Sequence, residues 1–216
     1  MASGLQKQEE SKQEIMRIAT SKHKMCRHLG ERCDLLKCPV ARNPHLPGQH
    51  GAKRRRAASE FGKHLLEKQK VRFFYGLSEA QFKKYFKAAE KKVGVTGEFL
   101  IQNLERRLDN VVYRLGFAPS RRAARQLVSH GHFLVNGVRV NVPSYGVKTN
   151  DVVIARPISF KNKYFQALVE SVKKHKVPSW INFNTQTLEA KISGLPTSEE
   201  VSLPYNLQLI TEYYSK

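Results

Sequence analysis

The chain has 216 residues, with 38 Lys and Arg against 18 Asp and Glu, a formal charge of +20 and a pI near 10.1. A free compact monomer with that excess would repel itself, so a permanently bound polyanion is the natural partner. A hydrophobic content of 40%, including 8 Tyr, 11 Phe and 1 Trp, excludes wholesale disorder. No apolar run approaches the roughly 18 residues that a bilayer span needs, so no membrane association is expected. Residues 1–15 carry Glu9, Glu10 and Glu14 and no apolar stretch, which argues against a secretory signal and an organellar presequence. Residues 1–60 hold a net +7, 61–97 a net +6, 98–160 a net +5 and 161–216 only +2. The polyanion is therefore expected to be met over much of the surface and not through a single tail.

In chain order, the first chemistry-bearing element is a cysteine cluster. Cys26, Cys33 and Cys38 are the 3 cysteines of the chain, and an odd count without a secretory signal points to a reducing cytoplasm and a metal, not to disulfides. A structural zinc needs four soft ligands, thiolate or imidazole. His23-x-x-Cys26 has knuckle spacing, so His23, Cys26, Cys33 and Cys38 form the expected Cys₃His set, with His28 and His45 as less well spaced choices for the fourth ligand. Three free thiols with no metal is the alternative.

Residues 39–59 hold Pro39, Pro44, Pro47, Gly48 and Gly51 and then Lys53, Arg54, Arg55 and Arg56. Pro and Gly at that density break helices and strands, so an extended basic segment ordered against a partner is expected. Helical periodicity follows over 59–75, with Phe61, Leu65, Leu66 and Phe73 on one side. It continues over 78–93, where Ser78 and Gln81 make a capping-box pattern ahead of Phe82, Tyr85, Phe86, Ala89 and Val93. Residues 98–116 read as one helix with the stripe Leu100, Leu104, Leu108, Val111 and Leu115, closed by Gly116. Ser120 caps a shorter helix over 121–130. Asn136-Gly137, between Phe133–Val135 and Val138–Val140, signals a type I′ hairpin, and Val152–Ala155 supplies another strand.

The binding chemistry sits on the second of these helices. Arg121 and Arg125 are four apart and share a face, Arg122 lies beside them, and Ser120, Ser129, His130 and His132 stand at the two ends. Guanidinium forks fit phosphate oxygens. Acids are almost absent from 116–150, so the alternative, a solvated face of surface ion pairs, has few local partners.

The stretch RLDNVVYRLGFAPSRRAARQLVSHGHFLVNGVRVNVPSY (107–145) closely resembles the RNA-binding domain of the small-ribosomal-subunit protein four family, of bacterial type. So do PxxPGQHG (44–51), EKQKVRFFYG (67–76), KKVGVTGEFL (91–100), PSWINF (178–183) and the ending LPYNLQLITEYYSK, in order from about residue 31 to the C-terminus. The resemblance implies a primary rRNA-binding protein that nucleates assembly of the small-subunit body, neighbours small-subunit protein five and the mRNA entrance, and contributes to decoding accuracy. Many members of the family have four cysteines where this chain has His23, Cys26, Cys33 and Cys38; here His23 replaces the first, and the interval between the two ligand pairs is shorter.

An enzyme reading is weighed against this. Arg107-Leu108-Asp109 echoes a short element of pseudouridine synthases, some of which append a similar RNA-binding domain. Inside a helix beside Leu108 and Val111, an Arg–Asp ion pair or a helix-surface role is the more economical account. There is no P-loop, HExxH, GxSxG or dinucleotide fingerprint. A ribosome-associated factor built on the same domain is the other alternative, and the PGQHG extension speaks against it.

The expected fold class is α+β. Residues 1–60 form a basic extension with a zinc knuckle, 61–97 with 160–216 a helical domain completed by C-terminal strands, and 98–159 an RNA-binding insert of two helices on a small antiparallel sheet. Expected RNA contacts are Gln49, His50, Lys53, Arg54, Arg55, Arg56, Lys68, Lys70, Arg72, Ser120, Arg121, Arg122, Arg125, His130 and His132. The expected partners are small-subunit rRNA, protein five and mRNA in the cytoplasmic ribosome, with no reaction catalysed and no homo-oligomer.

Overall fold

The computed structural model describes residues 22–32, 38–51, 57–173, 175–197, 200–201 and 205–215. The chain forms two compact units, one from residues 1–87 with 205–216 and one from residues 88–204.

The first unit holds α1 (Lys22–Leu29), a 3-10 turn (Pro39–Ala41), α2 (Glu60–Phe74), most of α3 (Glu79–Glu90) and a C-terminal helix. Ser59 opens α2 by accepting a hydrogen bond from the Gly62 amide at 3.2 Å. Ser78 does the same for α3 through the Gln81 amide at 3.3 Å. The chain ending is a helix from Leu207 to Ser215. Its start is set by Asn206, whose side-chain oxygen accepts from the amides of Gln208 and Leu209 at 3.0 and 3.4 Å. Ile210 is fully buried, and the spacing from it to Tyr213 and Tyr214 is helical. Tyr214 stacks on Phe86 with ring centroids 4.4 Å apart, and Tyr213 packs against Phe61 at 5.6 Å. Phe61 nonetheless keeps 60% of its surface exposed, against its expected place on a buried stripe.

The second unit holds α4 (Thr96–Glu105), α5 (Leu108–Arg114), α6 (Arg121–Ser129), β1 (Phe133–Val135), β2 (Val138–Val140), β3 (Val152–Ala155), a 3-10 turn (Pro157–Lys161), α7 (Lys163–Lys173), β4 (Ile181–Asn184) and β5 (Glu189–Ile192). The helix expected over 98–116 is therefore two. Arg107 is extended (φ −64°, ψ 136°) and makes a β-bridge with Gly146. The break is stabilised because residues 143–147 pair with the backbone on either side of it. Leu108 donates to the Tyr145 carbonyl at 2.8 Å, Asp109 to that of Pro143 at 3.2 Å, and Val147 to that of Arg106 at 2.9 Å. The apolar stripe survives the break, with Leu100, Leu104, Leu108, Val111 and Leu115 all at 0% exposure.

The sheet is antiparallel throughout, in the order β2-β1-β3-β5-β4. At the hairpin, Asn136 (φ 51°) and Gly137 (φ 80°) take the two left-handed positions of a type I′ turn. Val153 pairs with Ala190, and through that β3–β5 ladder residues 160–204 join the unit of 88–204. The chain thus divides differently from the expectation. Strands β4 and β5 extend the sheet begun by β1, β2 and β3, and only the last helix returns to residues 61–87. Phe117, Ala124, Val128, Phe133, Phe165, Trp180 and Ile192 fill the space between helices and sheet. About 25 cal/mol per Å² of apolar surface removed from water is the main force holding these layers together.

Candidate nucleic-acid interface

The arginines of α6 divide by environment. Arg121 is only 6% exposed; its Nε donates to Asn110 Oδ1 at 2.8 Å and its guanidinium lies 4.4 Å from the Tyr113 ring centre. Arg125 donates to Asp109 Oδ2 at 2.9 Å, from α6 back to α5. Arg107 grips both oxygens of the same carboxylate, at 3.1 and 2.8 Å. Next to this cluster, the fully buried Glu105 accepts from Arg114 at 3.1 and 2.8 Å and from Asn110 at 2.6 Å. The carboxylates missing from 116–150 are thus supplied by residues 105–109. Arg121 and Arg125 serve first as clamps between α5 and α6, which corrects the picture of a one-signed arginine face. Arg122 is the exposed member of the three. Arg107 and Asp109 form an ion pair with both side chains only 4% exposed, the first of the two roles expected of Asp109 and not a helix-surface one. Ser120 caps α6 by accepting from the Ala123 amide at 3.3 Å.

The expected lysine contacts of α2 are similarly engaged. Lys68 is 3% exposed; its Nζ bonds Glu79 at 2.8 Å and sits 4.4 Å over the Tyr213 ring. Lys70 bonds Glu67 at 2.8 Å and Glu31 at 3.4 Å. Burial alone would lower its pKa, but the hydrogen bond and charge of Glu67, with Glu31 behind, hold it above the ordinary lysine value. Arg72 approaches Glu79 at 3.6 Å. Burial would likewise raise the pKa of Glu79, yet the Lys68 hydrogen bond and charge, then Tyr214 and Arg72, keep it below the usual carboxylate range. Tyr214 donates to Glu79 at 3.0 Å, and burial first, then that carboxylate, push its own pKa up. Lys68 therefore ties α2 to α3 and to the last helix, while Lys70 pairs with Glu67 on its own helix and with Glu31. Gln49 and His50 lie exposed in the PGQHG loop, whereas Lys53, Arg54, Arg55 and Arg56 lie outside the described residues.

A second basic group gathers where α6 ends. His130 is exposed, and its ring centre is 6.1 Å from that of His132. His132 Nδ1 is 2.9 Å from Ser159 Oγ, and its ring is 5.1 Å from Phe165. Arg139 Nη2 donates to the His130 carbonyl at 3.2 Å, and the Arg156 amide to that of His132 at 2.8 Å. Burial and then the neighbouring charges of His130, Arg139 and Arg156 lower the pKa of His132. Arg139 and Arg156 were not expected among the contacts. The hairpin register, which places Arg139 opposite Leu134, was the available signal.

In the first unit, ligand atoms of His23, Cys26 and Cys38 lie within 4.8 Å of one another. Cys26 is 0% and Cys38 7% exposed, and His23 Nδ1 is buried without a hydrogen-bond partner. Cys33 lies outside the described residues. Two thiols and an imidazole whose buried ring nitrogen has no hydrogen-bond partner are a donor set suited to zinc.

Two family models match the chain: the N-terminal domain of ribosomal proteins S4 and S9 over residues 17–105, and the S4 domain over residues 106–153. Among curated proteins, small ribosomal subunit protein uS4 of Ruminiclostridium cellulolyticum is 50% identical over 187 residues, covering 87% of this chain and 89% of that protein. The uS4 proteins of Acetivibrio thermocellus and Thermus thermophilus are 49% and 48% identical over the same length, covering 89% and 90% of their own chains.

Proposed function

The chain belongs to the ribosomal protein S4 family, and we infer from that premise that it is a structural component of the small ribosomal subunit that works by binding small-subunit rRNA. It belongs to the ribosome of the cytoplasm and is not an enzyme. The observation that carries the reading is the match over 87% of the chain. The physics agrees: a net +20 on 216 residues is a liability in a free protein and an asset inside RNA, where each cation displaces a condensed counterion. Contacts of this kind go to phosphates and read shape, so they need no base-specific code.

The finer reading follows the family resemblance. The protein nucleates the subunit body as a single copy, lies beside small-subunit protein five and the mRNA entrance, and bears on decoding accuracy. Arg122, the exposed PGQHG residues Gln49 and His50, and the basic run Lys53 to Arg56 are the leading phosphate contacts. Arg121, Arg125, Lys68, Lys70 and Arg72 support the surface from behind. Filter binding to transcribed small-subunit rRNA at increasing salt tests this. Affinity should fall steeply and linearly on a log–log plot, and a shallow slope equal to that for an uncharged-surface control protein would contradict it.

Zinc belongs to this reading as a structural ion. His23, Cys26 and Cys38 would hold it, with Cys33 as the fourth ligand, and the buried, unpartnered His23 nitrogen supports the fit. With four protein ligands the ion would link α1 to the Pro39–Ala41 turn and supply folding energy, not chemistry. Native mass spectrometry should find about one zinc per chain, as a four-ligand site requires. A metal-free mass with every thiol alkylatable would overturn it.

A further inference from the structure

The basic group at the end of α6 is built in a way that its sequence positions do not suggest. Four cationic or protonatable side chains come from three separate segments: His130 and His132 from the turn between α6 and β1, Arg139 from β2 and Arg156 from the residue after β3. Arg139 is held over the last carbonyls of α6 by its bond to the His130 oxygen. Gly131 makes room for it. Its φ is +71°, and a Cβ there would lie 2.6 Å from Arg139 Nη2 and 2.8 Å from Cζ. The absent side chain is therefore the space that the guanidinium fills, at a position whose backbone already favours glycine. The charges acting on His132 are all positive, from His130, Arg139 and Arg156. The other groups against it are neutral, Ser159 from the 3-10 turn and Phe165 from α7. A like-signed cluster held in place by backbone bonds, with no carboxylate acting on its central histidine, is the complement of an anion.

We propose that this cluster of His130, His132, Arg139 and Arg156 is a second phosphate site, separate from the exposed Arg122, that takes an RNA backbone phosphodiester and a proton together. The inference rests on the rRNA-binding reading and adds a contact to it. In the free protein burial, and then the cationic neighbours His130, Arg139 and Arg156, lower the pKa of His132. A phosphodiester among them reverses the field, so the imidazolium becomes the favoured form. Binding then carries a proton onto His132. By linkage, affinity rises as pH falls through the window between the raised bound value and the lowered free value, and is level outside it.

The test uses the full chain and transcribed small-subunit rRNA, with filter binding from pH 8 to pH 5.5 at fixed salt. His132→Asn keeps a hydrogen-bonding group near Ser159 and removes the titration. From pH 8 to pH 5.5 the affinity of wild type should rise about tenfold more than that of H132N, as one coupled proton allows. Arg139→Ala should reduce the salt slope by about 0.7 to 0.9, as for one lost phosphate contact. Parallel pH profiles with intact, salt-dependent binding would overturn the proposal alone. Loss of salt-dependent rRNA binding at every pH would overturn the underlying reading as well. Should H132N fail to fold, the His132 ring can be titrated by NMR in the unaltered chain. Its pKa should rise when the RNA is added, and an unchanged value refutes the site.

Discussion

Replacing Asp109 by Ala attacks the joint between α5 and α6 at its centre. The carboxylate is 3% exposed and accepts two hydrogen bonds from Arg107, whose side chain is itself 4% exposed, and another from Arg125, which is 25% exposed. The Arg107 half of the joint is a fully buried ion pair, and removing one partner of such a pair costs about 3–5 kcal/mol, because the remaining charge keeps its desolvation penalty. The Arg125 half adds less, since water can replace the lost oxygen at a partly exposed guanidinium. A loss of about 4 kcal/mol corresponds to roughly 16 °C in the unit of residues 88–204, at about 2.1 cal/mol/K of unfolding entropy per residue. The single tryptophan, Trp180, is 4% exposed within the same unit, so its fluorescence reports the unfolding of that unit alone. Urea titrations of wild type and D109A at pH 7 followed at this residue give the difference directly. A loss below about 1 kcal/mol would refute the reasoning, because that is the range of a solvent-screened surface pair.

Three further outcomes are expected. Arg122→Ala should leave stability within about 0.5 kcal/mol of wild type while lowering the salt slope of rRNA binding by about 0.7 to 0.9. Arg121→Ala should do the reverse in stability, losing about 1.5–3 kcal/mol with its charged hydrogen bond to Asn110, as checked by urea denaturation alongside filter binding. In the first unit, the pKa of Glu79 is depressed in the folded state, so its contribution to stability is complete above the ordinary glutamate value and is lost as pH falls through the folded value. Thermal melts from pH 7 down to pH 3 should therefore show a fall that Glu79→Gln flattens, and an unaltered profile in the variant would remove Glu79 from the account.

The sequence carries the core far better than it carries the charges. Leu100, Leu104, Leu108, Val111 and Leu115 were legible as one buried stripe because period is a local property, and burial bears out each of them. Asn136-Gly137 was legible for the same reason: the turn it makes is decided by its own two residues. The break at Arg107 was not, since what stabilises it is residues 143–147, about forty positions away, pairing with backbone that the local pattern assigns to a helix. The last helix is settled by packing that no local pattern announces, with Ile210 buried, Tyr214 stacked on Phe86 and Tyr213 against Phe61. The site followed the same rule. Basic residues were visible, but whether each faces solvent depends on acids and amides that the fold brings from elsewhere. Asp109 reaches Arg125 across 16 positions, Asn110 reaches Arg121 across 11, and Glu79 reaches Lys68 across 11. One-dimensional charge counts could not separate clamp from contact, nor could they bring Arg139 and Arg156 beside His132.

The central claim is that this chain is a resident rRNA-binding component of the small subunit. Its most direct test is retention: tagged protein expressed in cells, small subunits isolated on sucrose gradients, and the particles washed with high salt before the bound protein is quantified. The account predicts near-stoichiometric protein remaining with the small subunit after the wash, with none following the large subunit. Release into the supernatant, or co-migration with the large subunit, would contradict it.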